Sequence, residues 1–174
     1  MSLRSFSGRE PSIGNEVYID TDSLLIGDVH VGARATVWPG AVLRADDGRI
    51  EIGEGSAVMD MAFVEAPKGR PVIIGRGCII SHGAKLHGCQ IGDDVMIGIG
   101  AIVLDGATIE SGSFLAAGSV VPPGSRIPSR SMAMGIPAKV TREVTEAERV
   151  LMKDNLETIS AKALEHARSQ ETRF

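Results

Sequence analysis

An aliphatic side chain returns every sixth residue along most of the chain, in runs of three. The runs are Val31, Val37, Leu43; Ile52, Val58, Val64; Ile74, Ile80, Leu86; Ile91, Ile97, Val103; and Ile109, Leu115, Val121, with Ile127 after them. A period of six matches neither an amphipathic helix nor the simple alternation of a lone strand. It is the mark of hexapeptide repeats, three of which make one triangular coil of a parallel β-helix. The expected fold is therefore mainly β, a left-handed parallel β-helix. Irregular intervals between runs read as insertions or deletions at corners. The stretches ADDGR (45–49) and APKGRP (66–71), rich in Gly, Pro and charge, are expected as corner loops.

The pattern changes after Val144. Thr145 and Glu148 have the spacing of a capping box, and Met152, Leu156, Ile159, Ala163 and Ala167 then recur at intervals of three and four. This predicts an amphipathic helix over 145–170, packed on the β-helix or on a neighbouring subunit. The β-helix domain is expected over 1–144. Within it residues 1–24 lead in as an irregular turn or cap around Ile13, Val17 and Ile19, and the coils span 25–138. The final SQETRF is expected to fray. Open coil ends and flat apolar faces favour self-association, and a three-fold homotrimer is expected.

The repeat also assigns outward positions. If each aliphatic residue points inward, the residue after it points out. After the third hexapeptide of successive coils come Arg44, Glu65, His87 and Leu104, stacked in one column about 4.8 Å apart. Two residues after the second hexapeptide come Pro39, Asp60, His82 and Ile99, in a column on another side of the triangle. His82 thus cannot meet Glu65 and His87 within one chain. A second subunit would have to bring it there.

Composition narrows the function classes. Twenty-one glycines and six aromatic residues suit thin strands and tight corners. The net charge of −4 argues against nucleic acid or an anionic membrane as partner. No apolar run reaches membrane-spanning length, so a cytoplasmic location is expected. Cys78 and Cys89 do not make a disulfide framework, and Cys78 falls at a small inward repeat position.

The strings WPGAVLRADDGRIEIG (38–53), ISHGAKLHGCQIGDDVMIGIGAIVLDGA (80–107) and MGIPAKVTREVTEAE (134–148) resemble the γ-class carbonic anhydrases and their relatives, with HGAKLHGC the most specific piece. The resemblance runs from about residue 25 to the end. It implies a homotrimer with zinc, iron or cobalt held between subunits by three histidines, two from one chain and one from its neighbour. His82 and His87 match two of these. Arg44 and Asp46 match a segment that forms intersubunit ionic contacts near the metal, and Asp60 matches an aspartate that follows a site glutamine. The departures fall at the site. Glu65 stands where the family has its first metal-binding histidine, Met59 where it has the glutamine, and Ala133 where it has a tyrosine.

Two readings of Glu65 compete. Glu65, His82 and His87 could form a two-histidine, one-carboxylate metal site with an open position for water, suited to attack on a carbonyl or on carbon dioxide. The added negative charge would make the metal a weaker acid, so carbon dioxide hydration would be weak or lost. Alternatively, Arg44, Glu65 and His87 form an ion-pair ladder without metal. Three function classes follow: a γ-carbonic anhydrase-like metalloprotein acting on a small molecule such as carbon dioxide or bicarbonate, a non-catalytic trimeric scaffold or binding protein, and a hexapeptide acyltransferase. Short loops disfavour the last. Lys85, His30 and the Trp38-Pro39-Gly40 segment read as surface, corner and subunit-packing residues.

Overall fold

The chain coils into a left-handed parallel β-helix closed at its C-terminal end by a hairpin and flanked by one long helix. The computed structural model describes residues 2–171. Backbone pairing follows the six-residue period. Val31, Ile52, Ile74, Ile91, Ile109 and Ile127 stack on the first face. Val37, Val58, Ile80, Ile97 and Leu115 stack on the second. Leu25, Leu43, Val64, Leu86, Val103 and Val121 stack on the third. These side chains fill the prism interior and form a continuous buried core. Removing them from water supplies the main driving force for coiling, at about 25 cal/mol per Å² of apolar surface.

The period extends further than the aliphatic pattern announces. Ile13 pairs with Val31 and Ile19 with Val37, so the lead-in is an ordinary coil rather than an irregular cap. Ala133 pairs with Leu115 and is an inward residue of the second face. The expected corner loop at 45–49 is also corrected: one strand runs unbroken from Val42 to Ile52. It stays paired to the strand Leu24–Val31, whose register shifts between Gly27 and Val29, so the chain turns the corner without losing its ladder. The stretch 66–71 is a loop, closed by Arg70 N–H donating to the Pro67 carbonyl.

After Val144, helix α1 (Glu146–Glu171) begins. Thr145 and Glu148 cap it reciprocally: the Thr145 N–H donates to Glu148 at 2.9 Å and the Glu148 N–H to Thr145 Oγ1 at 3.3 Å. The helix lies on the second face of its own coil. Met152, Leu156, Ile159, Ala163 and Ala167 pack there against Tyr18, Trp38, Ala57, Met59, Ile79 and Phe114. Trp38 is thus intrachain packing, with its indole N–H on Thr36 Oγ1 at 3.0 Å and His166 of α1 edge-on to its ring. Of the expected frayed end, residues 172–174 lie outside the described residues, and the helix continues through Glu171. Among the described residues no helix is long and apolar enough to cross a membrane.

Arg142 grips Glu148 with both guanidinium nitrogens, at 2.8 and 2.7 Å. Those bonds, then the Thr145 N–H, pull the Glu148 carboxyl down to about 2 from 4.5. A folded-state value below the unfolded one means this cap contributes fully above about pH 4.5 and is lost as pH falls toward 2. Thermal unfolding temperature should therefore fall less steeply for Glu148→Gln than for wild type between about pH 5 and pH 2. Equal slopes would contradict the cap assignment.

Candidate metal centre on the third face

With α1 covering the second face, the third face is left open, and the titratable column lies on it. Strand pairing sets Arg44 against Glu65 and Glu65 against His87 in adjacent coils. The side chains complete a ladder. Arg44 Nη2 donates to Glu65 Oε1, and Arg44 Nη1 to Asp46 Oδ2 at 3.3 Å. Glu65, through that hydrogen bond first, holds the Arg44 guanidinium above its usual value. Glu65 Oε2 then faces His87 Nε2 at 3.8 Å. On its other side His87 Nδ1 meets Asp105 Oδ1 at 2.7 Å. A carboxylate only accepts, so Nδ1 carries the proton and Nε2 is directed toward Glu65.

His82 lies at the corner where the chain enters this face, and His87 at the end where it leaves. His82 Nδ1 is 2.9 Å from Asp60 Oδ2, one coil below. Both histidines therefore have Nδ1 against a carboxylate, the arrangement that orients a ring for metal binding through Nε2. Within one chain, the described residues form no cluster of three His, Cys, Asp or Glu side chains able to hold a metal. Glu65 and His87 alone are a pair of hard and borderline donors. Their 3.8 Å separation exceeds by about half an ångström the ~3.3 Å edge of a tetrahedron built on typical zinc ligand distances. A small side-chain adjustment makes the pair fit a divalent metal, provided Glu65 keeps Oε1 on Arg44 and offers Oε2.

Asp105 escaped the sequence reading. It lies two residues past the inward Val103, in the column of Ala45, Ala66 and Gly88. A Cβ at Gly88 would come within 2.5 Å of Asp105 Oδ1, so the glycine leaves the space that lets this carboxylate lean onto His87. That column, with glycine directly below an acid, was the available signal.

Two of the three positions that the resemblance marks as altered are packed away from solvent. Ala133 is 0% exposed and faces the interior, so a tyrosine there would enter the core and could not line the third face. Met59 is 6% exposed and sits under α1 among Trp38, Ala57 and Met152. Of the three, Glu65 is the one whose side chain reaches the open face. Ala133→Tyr should lower stability by about 3 kcal/mol or more through overpacking, read from chemical denaturation. A stability within about 1 kcal/mol of wild type would contradict the inward placement of Ala133.

Other features do not contribute chemistry here. Burial pushes the Cys78 and Cys89 thiols up to about 12, so neither supplies a thiolate at neutral pH. Lys85 points to solvent, with Nζ 3.3 Å from the Gly83 carbonyl. His30 is held by Asp28 at 2.7 Å, away from the site. A cleft of about 250 Å³ opens near the start of α1, lined by Arg130, Arg149, Lys153 and Asp94. Its surplus of cations cannot compose a divalent-metal site.

Comparison with known proteins agrees with the coil assignment. Residues 10–45 and 88–123 match the model of the bacterial transferase hexapeptide family (six repeats), which defines the class as a hexapeptide-repeat β-helix protein. The chain is 48% identical over 143 residues to a protein of Methanocaldococcus jannaschii named a probable carbonic anhydrase, covering 82% of this chain and 90% of that one. It is 34% identical to the mitochondrial gamma carbonic anhydrase 1 of Arabidopsis thaliana, covering 95% of this chain but 62% of that longer protein. A hexapeptide transferase family protein from Anaplasma phagocytophilum superposes with a TM-score of 0.89 at 36% identity, over 93% of this chain and 96% of that one. The chain belongs to the γ-carbonic anhydrase-like family of hexapeptide-repeat proteins.

Proposed function

We propose that the protein is a homotrimeric γ-carbonic anhydrase-like metalloprotein. Glu65 and His87 of one protomer and the partner subunit's His82 would hold one divalent metal, zinc or else iron or cobalt, with carbon dioxide hydration weak or lost. The observation that carries this reading is the paired geometry of the two histidines, each with Nδ1 against a carboxylate and Nε2 left for a ligand. The exposed band around the site supports the trimer. Met61 is 70% and Ile99 58% exposed at the corner that carries His82, and Phe63, Ile102 and Leu104 are half-buried on the open face. A bound divalent metal would supply Lewis acidity and an activated water. The chain's own residues would hold Glu65 and His87 in place and surround the site with Arg44 and Asp46.

The ladder itself favours a second reading. Arg44 already satisfies Glu65 Oε1, and Asp105 already accepts from His87 Nδ1, without any ion, as a trimeric scaffold or binding protein would need. Elemental analysis of protein purified without chelators, combined with its mass in solution, separates the two. The metalloprotein reading predicts a trimer with close to one metal per chain, reduced sharply in His82→Ala and in His87→Ala. A trimer that takes up no zinc, cobalt or iron after supplementation would favour the scaffold.

A further inference from the structure

We propose that Asp105 is a positioning residue that fixes His87 in its Nδ1-protonated tautomer and presents Nε2 to Glu65. The consequence for metal affinity rests on the metalloprotein reading above; the tautomer itself does not.

The geometry is specific. His87 Nδ1 lies 2.7 Å from Asp105 Oδ1, the shortest polar contact the ring makes, and Nε2 is left 3.8 Å from Glu65 Oε2. A neutral imidazole has one donor nitrogen and one acceptor. With Asp105 accepting at Nδ1, the lone pair must sit on Nε2, on the side of Glu65. Reversing the tautomer would set the Nδ1 lone pair against Asp105 at 2.7 Å, a far closer approach of acceptors than Nε2 makes with Glu65 at 3.8 Å, and would remove the ligand electrons from Nε2. The fold reserves room for this contact. Asp105 is brought over His87 because the Gly106 N–H donates to the Gly88 carbonyl at 2.7 Å, and Gly88 has no Cβ to push the carboxylate away. Asp60 stands in the same relation to His82, 2.9 Å from its Nδ1. One acid per histidine thus prepares both rings for the same nitrogen.

The test uses the protein of this sequence and three variants, Asp105→Ala, Asp105→Asn and Asp47→Ala, the last an exposed acid on the strand of Arg44 that is no member of the ladder. Long-range nitrogen–proton NMR on metal-free protein at mildly alkaline pH reads the His87 tautomer directly. Wild type and Asp47→Ala should show protonated Nδ1 and unprotonated Nε2. Asp105→Ala should move to the Nε2-protonated form that free imidazole side chains favour. Chelator competition with zinc should then show affinity about 10–100-fold weaker in Asp105→Ala, with Asp105→Asn between it and wild type. Circular dichroism of Asp105→Asn, which conserves volume, guards against misfolding. An unchanged tautomer in Asp105→Ala overturns the proposal, as does an altered tautomer with wild-type zinc affinity. If wild type itself binds no zinc, the metalloprotein reading fails, and the tautomer measurement still decides the role of Asp105.

Discussion

Glu65→His should strengthen metal binding and raise carbon dioxide hydration by the metal-loaded protein about tenfold or more, read by stopped-flow proton release. Glu65 is engaged by Arg44, so a metal must share its carboxylate with a guanidinium. In a metal site the carboxylate would lend negative charge to the metal and weaken its power to acidify a bound water. A neutral imidazole at the same column position removes both handicaps. The cost in stability is small, because Arg44 and Glu65 are partly solvated, with side chains 39% and 20% exposed, and such pairs contribute about 0–1 kcal/mol. Arg44 also retains Asp46. One substitution is enough to test this, since Met59 and Ala133 lie in packing environments away from the open face. Equal hydration rates for metal-loaded Glu65→His and wild type would contradict the placement of Glu65 at the metal.

Gly53→Ala should destabilise the β-helix by about 3 kcal/mol or more, whereas Gly55→Ala, two residues away, should cost about 1–2 kcal/mol. A Cβ at Gly53 would lie 2.3 Å from the Gly75 carbonyl oxygen and 2.4 Å from its carbon, both backbone atoms of the next coil. Neither can move aside without breaking the ladder in which the Gly53 N–H donates to the Ile74 carbonyl at 2.8 Å. At Gly55 nothing lies within 4 Å, and the penalty is only that of a side chain at φ +66°. Chemical denaturation of the two variants measures the difference. Similar losses would mean that coil spacing yields more easily than the structure implies.

The repeat was legible because each coil must bury one large aliphatic residue per face, and stacking reproduces that demand at a fixed interval. Its ends were less legible. Ile13 has no coil beneath it and remains 36% exposed, and Ala133 is too small to register as an aliphatic position. The ADDGR segment looks like a turn by composition, yet its backbone stays paired to the strand below, a tertiary fact that local sequence does not carry. The same holds for α1. Its apolar stripe was readable from Met152 to Ala167, but the surface it covers depends on which face offers Trp38, Met59 and Phe114.

Much of the candidate site was readable for the same reason as the fold. Counting from the inward residues placed Arg44, Glu65 and His87 in one column and His82 apart from them. What the count missed were partners reached by side-chain lean. Asp105 stands one coil above His87 and one position along, and it contacts the ring only because Gly88 leaves the space. The inward placement of Ala133 was missed too, because residue-by-residue matching does not register whether a position points in or out.

The central claim is that a metal lies between subunits on the third face. Anomalous diffraction from crystals of cobalt- or zinc-loaded protein tests it most directly. One strong peak per chain is expected, within bonding distance of Glu65, His87 and the partner subunit's His82. Loaded crystals with no peak at that position, or with a peak that the partner subunit's His82 does not reach, would contradict it.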